Sequence, residues 1–229
     1  MKITRGRELL TPEQRQTLMQ IPDDEWVLGT YYTFSKQDLE VINKRRREEN
    51  RLGFAIQLCV LRYPGWSYNN NKGIPDPVVD YISKQIGATS SSLSLYPQRE
   101  NTLWDHLKEI RREYDFVTFT LKEYRKTFKY LFQLVLENGD AIHLLHEVID
   151  FLRKNKIILP AITTLERMVW EARAMAERKL FNTISKSLSN DQKMKLEEII
   201  TLPHPSEPNK TILGWLKEPP GYPSPETFL

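Results

Sequence analysis

Apolar residues are most concentrated between positions 52 and 61, where only Gly53 and Gln57 interrupt them. A helix of this composition is hydrophobic on nearly every side, so it has to lie inside a bundle of other helices. Pro64 and Gly65 should end it, because proline cannot continue the helical hydrogen-bond ladder and also restricts the residue before it. We therefore predict a core helix over residues 52–62, around which the rest of the chain is organised.

Cap residues upstream of this run predict three short helices. Thr11 followed by Gln14 has the spacing of a capping box, in which each side chain binds the backbone of the other. The acids from Asp23 onward suit the positive end of a second helix dipole. Ser35, with Asp38 three residues on, begins a third helix in the same way. These signals place short helices ahead of the core helix.

Residues 77–96 have the spacing of a helix-turn-helix. Apolar positions from Val78 to Ile86 follow the helical period, and Gly87 provides the left-handed stop. Ser90 can then cap a short second helix that Leu93 anchors from inside, while the small side chain of Ser83 allows the two helices to cross closely. The pattern is weak evidence for DNA binding, since helix-glycine-helix corners are common in all-α proteins.

The second half of the chain is helical by the same criteria. The predicted helices cover 98–113, 121 to a stop at Gly139, 140–154, 163–188 with Glu166 in capping-box position, and 189–200. Seven of the 14 prolines then fall between 203 and 225, which is typical of a semi-rigid linker or a lid. We predict an all-α fold of two small helical domains in tandem, over 1–96 and 97–202, followed by a proline-rich linker over 203–229.

The composition is that of an ordinary globular protein, with 40% hydrophobic and 28% charged residues in a chain of 229. No apolar run approaches the roughly 20 residues that span a bilayer, and the amino terminus has no signal-peptide pattern. The single cysteine, Cys59, cannot form an internal disulfide and fits a reducing compartment. We therefore expect a cytoplasmic protein with no membrane partner.

Positive charge is concentrated rather than abundant. Residues 36–62 carry seven cations against four acids, an excess that equals the net charge of +3 for the whole chain. A second basic stripe lies at helical spacing between Lys122 and Lys129. Such stripes are usually the solvated faces of amphipathic helices. Two of them together with a helix-turn-helix spacing nevertheless favour a nucleic-acid partner.

Catalytic or metal-binding chemistry finds little support in the sequence. Cys59 lies in an apolar helix with no cation beside it to activate a thiolate, so it is more simply a packing residue. His143 and His146 lie one turn apart on a helix, but no third metal ligand is placed near them. No phosphate-binding glycine loop or zinc motif is present. We expect no catalytic residues, no metal site and no cofactor in these residues.

The most specific motifs are Arg-Leu-Gly-Phe-Ala-Ile-Gln-Leu-Cys at 51–59 and Leu-Arg-Tyr-Pro-Gly at 61–65, preceded by Leu-Leu-Thr-Pro-Glu at 9–13. They closely resemble the amino-terminal region of transposases of the Tn-three family, which move replicative, cointegrate-forming bacterial transposons. Further matching segments lie at 79–82, 85–87, 106–111, 159–160, 165–167, 219–221 and 223–225. The resemblance covers nearly all of the chain.

The resemblance implies that these residues bind the terminal inverted repeats of a transposon as double-stranded DNA. It also implies a DDE catalytic domain that holds Mg²⁺ farther along a longer protein, and with it self-association of the full-length protein. We therefore expect no enzymatic activity from these residues. The sequence departs from the family at Leu103-Trp104, at Asp115, which replaces a usual glycine, and at Tyr68 to Asn71, where a loop is longer.

These arguments predict a DNA-binding surface made of phosphate contacts and base contacts. The short helix from Ser90 to Tyr96 is the candidate for contacting base edges, while the basic residues position the duplex. The alternative is a helical scaffold that contacts protein partners within a transposition complex. The predicted DNA-binding residues are Lys44, Arg45, Arg46, Arg47, Arg51, Arg62, Ser90, Ser91, Ser92, Arg99, Lys122, Arg125, Lys126 and Lys129.

Overall fold

The computed structural model describes residues 9–68, 73–96 and 100–218. Within these ranges the fold is built from helices, with a single two-stranded sheet near the end, so the all-α prediction is confirmed. The chain divides into two compact units, Met1–Ala176 and Glu177–Leu229. This division differs from the predicted tandem domains over 1–96 and 97–202, for a reason that the hydrophobic core makes clear.

The regular elements follow one another through short connections. They are α1 (Pro12–Met19), α2 (Glu25–Tyr31), α3 (Lys36–Asn43), α4 (Glu48–Arg62), α5 (Asp76–Ile86), a 3-10 helix (Ser90–Leu95), α6 (Glu100–Tyr114), α7 (Leu121–Val135), α8 (Ala141–Lys154), α9 (Ile162–Ser187), α10 (Asn190–Thr201), β1 (Pro203–His204), β2 (Glu207–Thr211) and α11 (Ile212–Leu216). The predicted core helix is present and begins four residues earlier than its apolar run, at Glu48.

Helix α4 is the buried centre of the first unit. Every residue from Leu52 to Leu61 is buried, and Leu58 is fully inaccessible. Residues from α2, α3, α5 and α6 pack around it to form the first hydrophobic cluster, which also takes in Ile158. Burial of so many large apolar side chains, each contributing on the order of 1.5–3 kcal/mol, makes α4 the main source of stability in this part of the fold.

A second hydrophobic cluster joins α7, α8 and the first half of α9. Leu131, Leu144, Leu145 and Leu165 are fully inaccessible at its centre. Leu10 and Trp66 also belong to this cluster, although both lie in the predicted first domain. Because the chain crosses between clusters at both places, residues 9–176 form one compact unit rather than two tandem domains.

The helix starts predicted at Thr11, Ser35 and Ser189 are correct, whereas the short 3-10 helix has Thr89 rather than Ser90 at its N-cap. Thr11 with Gln14 and Ser35 with Asp38 both form complete capping boxes, and Ser189 forms a third with Gln192. One predicted helix end is misplaced, because α7 finishes at Val135, well before Gly139. Glu166 does not cap α9 either, since it is buried and serves a different purpose described below.

The structure agrees with the predicted helix-turn-helix in the first helix and the turn, but not in the second helix. Gly87 ends α5 in the left-handed conformation, and the hydroxyls of Ser83 and Ser90 lie 3.0 Å apart, as the close crossing requires. The second element is a six-residue 3-10 helix rather than an α-helix. A 3-10 helix this short presents few side chains to a groove, which limits it as a recognition element.

Two extended segments link the hydrophobic clusters of the first unit. Val117 donates its N–H to the Lys156 carbonyl, and Ile158 donates to the Val117 carbonyl, both at 2.9 Å. The residues that turn into these segments, Asp115 and Lys156, have φ values of 60° and 52°. Left-handed backbone is unfavourable for most residues with a Cβ, although aspartate adopts it more readily than lysine does, so a glycine would fit either position without strain.

The second unit, described from Glu177 to Glu218, contains the end of α9, α10, the β1–β2 hairpin and α11. Pro203 pairs with Thr211 and His204 with Glu207 across the antiparallel strands. The His204 ring stacks on Trp215 at 4.2 Å, and Lys210 bridges Glu207 and Glu218. Over residues 203–218, where the prolines predicted a semi-rigid linker or a lid, the chain forms a hairpin followed by a short helix.

Candidate nucleic-acid interface

The basic stripe on α7 is fixed in place by the apolar stripe on the other side of the same helix. Leu131 is fully buried, and Tyr124 and Phe128 pack against the second hydrophobic cluster. Thr127 is also buried, with its hydroxyl donating to the Glu123 carbonyl at 2.8 Å. Because side chains three and four residues apart share a face, the cations of α7 are directed together toward solvent.

Lys122, Arg125, Lys126 and Lys129 are all exposed along that face. Lys126 donates from Nζ to the Asn155 side-chain oxygen at 2.7 Å and lies over the Phe151 ring. Within the described part of the chain, no carboxylate lies within ion-pair distance of any of the four. Like charges at this spacing repel one another, so an anionic partner would relieve an unfavourable arrangement.

The first basic run, at 44–47, is divided between surface and interior. Lys44 and Arg46 are exposed, and Arg47 is exposed beside Glu49 at 3.8 Å. Arg45 is only 8% exposed. It pairs with Glu109 at 2.5 Å, donates to the Val41 carbonyl and lies 3.4 Å from the centre of the Phe54 ring. Arg45 therefore ties α6 to α4, and little of its side chain is accessible to a partner.

The side chains of Arg62 and Arg51 are partly buried. Arg62 donates to Asp38 at 2.6 Å, and the Asp38 side chain is almost completely buried. Burial alone would raise the pKa of Asp38, but the hydrogen bond from Arg62 and the capping interaction with Ser35 outweigh it and lower that pKa. Arg51 is half-buried at the side of α4. Both residues therefore have a mainly structural role, in contrast to the exposed cations of α7.

The serines of the 3-10 helix differ in how accessible their side chains are to a partner. Ser90 donates to Asp80 at 2.5 Å and is half-buried, and the Ser92 hydroxyl is buried. Ser91 is exposed. Of the three predicted serines, Ser91 is thus best placed to meet a base or a phosphate. Arg99, the remaining predicted contact, lies outside the described residues.

A buried polar network beside α4 was not predicted from the sequence. Gln57 Nε2 donates to the Tyr96 hydroxyl at 2.5 Å, and that hydroxyl lies 2.9 Å from His106 Nδ1. The Tyr96 and His106 rings also stack. Burial and the nearby Arg45 charge lower the pKa of His106 to about 4, so this imidazole is neutral at physiological pH. In the sequence, this network is indicated only by Gln57, the one polar side chain in the apolar run of the core helix.

A second buried polar cluster fastens the amino-terminal segment. Glu166, 2% exposed, accepts hydrogen bonds from the backbone N–H groups of Leu9 and Leu10. Arg15 also donates to both of its carboxylate oxygens, at 3.0 and 2.9 Å. A buried carboxylate is tolerated only when its hydrogen-bonding capacity is filled in this way. Glu166 therefore holds α1 against α9.

The remaining candidates for catalysis or metal binding are Cys59 and the histidines of α8. Cys59 is fully buried in α4, and burial raises the pKa of its thiol well above the usual range. His143 and His146 are both exposed on α8. Among the described residues, no three His, Cys, Asp or Glu side chains are grouped as metal ligands would be. Nor is any helix in the described ranges long and apolar enough to cross a membrane.

Comparison with known proteins gives a consistent set of relatives. Residues 9–172 match the family described as Domain of unknown function (DUF4158). The chain is 82% identical over its full length to the transposase for transposon Tn1546 of Enterococcus faecium, covering 23% of that protein. It is 33% identical over 97% of its length to the transposase for transposon Tn501 of Pseudomonas aeruginosa, covering 22% of that protein. The chain thus spans less than a quarter of the length of these relatives.

Proposed function

The chain belongs to the DUF4158 family and is similar to one part of the Tn-three family transposases, and we propose that it binds the terminal inverted repeats of a transposon as double-stranded DNA. It would act as the DNA-binding portion of a transposase in replicative transposition. The strand-transfer chemistry, with its Mg²⁺, would belong to another part of the same protein.

The observation that carries this proposal is the cationic face of α7. Its four exposed cations lie on one helix, and within the described ranges none of them has a carboxylate within ion-pair distance, although the charge of Lys122 does act on Glu123 of the same helix. Each phosphate that such a cation neutralises releases condensed counterions, which supplies much of the affinity of proteins for DNA. A helix of fixed position can place four such contacts along one stretch of backbone, so it positions a duplex as well as attracting it.

Lys44, Arg46 and Arg47 form a second candidate for phosphate contact, at the start of α4. We propose Ser91 as the base-contacting residue of the 3-10 helix, because its side chain is exposed beside a segment rigidly anchored by Tyr96. A hydroxyl donates and accepts equally well, so it can contribute to base contact but discriminates weakly by itself.

The scaffold alternative is supported by a separate observation in the second unit. Leu180, Phe181 and Ile184 on α9 are exposed, as are Met194, Leu196 and Ile200 on α10. Exposed apolar side chains at this density are typical of surfaces that bind another protein. This unit is therefore the better candidate for protein contacts, while α7 is the better candidate for DNA.

A gel-shift experiment separates the two functions. The chain would be titrated against a duplex carrying the terminal sequence of transposon Tn1546 and against a scrambled duplex of the same composition, at one fixed salt concentration. We expect the terminal duplex to bind at least tenfold more tightly. Equal affinity for both duplexes would reduce the function to binding by charge. No shift with either duplex would favour the protein scaffold.

A further inference from the structure

A cleft of about 430 Å³ lies in the first unit, lined by three cations and by hydroxyl and aromatic side chains. Its lining residues are Thr30, Tyr31, Thr33, Arg62, Tyr114, Phe116, Arg153 and Lys156. This volume falls within the roughly 300–1,000 Å³ of small-ligand pockets. The volume is thus sufficient for a phosphodiester with an adjoining sugar. None of the predicted DNA contacts except Arg62 pointed to this place.

The cations of the cleft are positioned by contacts that leave donors available. Arg153 donates from Nε to the Pro64 carbonyl at 2.8 Å and from Nη1 to Asp150 at 3.2 Å. Arg62 uses Nη2 on Asp38 and lies over the Tyr114 ring. A guanidinium carries five N–H donors. Both side chains are thus held in place while further N–H groups remain for a ligand.

Lys156 is the least neutralised of the three cations. Its Nζ donates to the Tyr114 carbonyl at 3.1 Å, and no carboxylate in the described ranges pairs with it. The arginines of the cleft each have an acidic partner, Asp38 for Arg62 and Asp150 for Arg153. The cleft therefore keeps one uncompensated positive charge, which suits an oxyanion.

The cleft also continues the basic face of α7. Lys126 donates to the side chain of Asn155 at 2.7 Å, and Asn155 directly precedes Lys156. Exposed Lys154 lies on the other side of Asn155. A path of cations thus runs from α7 across the end of α8 into the cleft. A strand whose phosphates follow α7 meets the cleft next.

We propose that this cleft binds a phosphate group of the DNA backbone, with Lys156 and the free N–H groups of Arg62 and Arg153 as its donors. The inference rests on the proposed DNA-binding function and adds a defined phosphate subsite to it. Charge-assisted hydrogen bonds to a phosphate from arginine and lysine are among the stronger polar contacts. The subsite fixes one point of the strand relative to α7, which sets the register of the duplex.

The left-handed backbone at Lys156 and Asp115 provides a matched pair of test variants. Glycine adopts such a backbone without strain, so Lys156→Gly and Asp115→Gly should both retain or raise the melting temperature. Only the first removes a cation from the cleft. Arg62 and Arg153 are unsuitable for substitution because both hold the fold together through the contacts described above.

The test measures binding of a random-sequence 30-base-pair duplex as a function of salt, with thermal unfolding in parallel. For Lys156→Gly we expect the slope of log affinity against log salt to become shallower by about 0.9, and affinity at 0.1 M salt to fall about five- to tenfold. Asp115→Gly should leave both the slope and the affinity undiminished. Lys186→Ala, which removes an exposed lysine of the second unit, serves as a second control and should change the slope less than Lys156→Gly.

Inorganic phosphate distinguishes the source of the ligand. In a titration followed by backbone NMR, both inorganic phosphate and the duplex should shift the amides of Tyr31, Tyr114 and residue 156, and Lys156→Gly should raise the concentration of each ligand that is needed for these shifts. A response to inorganic phosphate alone would overturn the assignment to DNA. An unchanged salt slope in Lys156→Gly, while alanine substitutions on α7 still weaken the duplex, would overturn the subsite and leave the proposed function standing. A wild-type chain that binds no duplex would overturn both.

Discussion

The ring of Tyr96 lies against Gly53 so closely that no Cβ fits at that position of α4. The Tyr96 hydroxyl reaches past this point to Gln57, one turn farther along the same helix. The Leu-Gly-Phe motif therefore has a packing role. Its glycine admits the aromatic ring that closes the 3-10 helix onto the core, and its phenylalanine meets the edge of His106.

Gly53→Ala should destabilise the protein by about 1–3 kcal/mol, because the added methyl group forces the Tyr96 ring or the helix to move. This loss should exceed the gain of up to about 1 kcal/mol that alanine brings to a helix interior. Gly29→Ala in α2 is the control, since a Cβ there meets nothing within 4 Å, and it should be neutral or stabilising. Urea unfolding of the two variants checks the difference, and equal stabilities would contradict the close packing.

Stability should fall as the pH is lowered from about 6.5 toward 4, because of His106. Its pKa is about 4 in the folded protein and near 6.5 when unfolded. The unfolded state therefore binds more protons in this window, which lowers the free energy of unfolding as pH falls. Urea unfolding between pH 7.5 and 5 measures this above the range in which Asp38 titrates. His106→Gln should show a weaker pH dependence, and an equal dependence in both proteins would exclude His106 as the cause.

Arg45 and Lys44 are neighbours in sequence, but their replacement by alanine should affect stability to very different extents. Arg45→Ala leaves Glu109 and the Phe54 ring without their partner and should cost about 3 kcal/mol, as removal of one member of a buried ion pair typically does. Lys44→Ala, at an exposed position, should stay within about 0.5 kcal/mol of the wild type. Thermal unfolding compares them directly. If Arg45→Ala melts like the wild type, Arg45 is a surface residue and returns to the list of DNA contacts.

Much of the fold followed from local signals. Thr11, Ser35 and Ser189 were found as helix caps because capping depends on residues three positions apart, and the core helix followed from its continuous apolar run. The resemblance to Tn-three transposases, drawn from the Leu-Gly-Phe and Tyr-Pro-Gly motifs, is confirmed by the matches to transposases.

The features that the sequence did not predict depend on distant contacts. Trp66 joins the second hydrophobic cluster through residues more than forty positions away, so no local pattern could place the boundary between units. Arg45 and Arg46 look alike in a basic run, and the contacts of Arg45 with Glu109 on α6 and with the Phe54 ring on α4 are what distinguish them. Lys156 gave no signal either, because the cleft around it is assembled from four separate segments.

The central claim, that α7 presents its cations to DNA phosphates, is tested most directly by the salt dependence of binding. Lys122, Arg125, Lys126 and Lys129 would be replaced together by alanine. A control variant would lose four exposed lysines from elsewhere in the chain, at Lys36, Lys84, Lys186 and Lys217. Both variants lose the same net charge, so a difference between them reports position rather than total charge.

Affinity for the Tn1546 terminal duplex would be measured for both variants between 50 and 200 mM salt. If all four residues of α7 contact phosphates, the slope of log affinity against log salt should become shallower by about 3–4 in the α7 variant and change much less in the control. A slope in the α7 variant equal to that of the wild type would contradict the account and make this helix face an ordinary solvated surface.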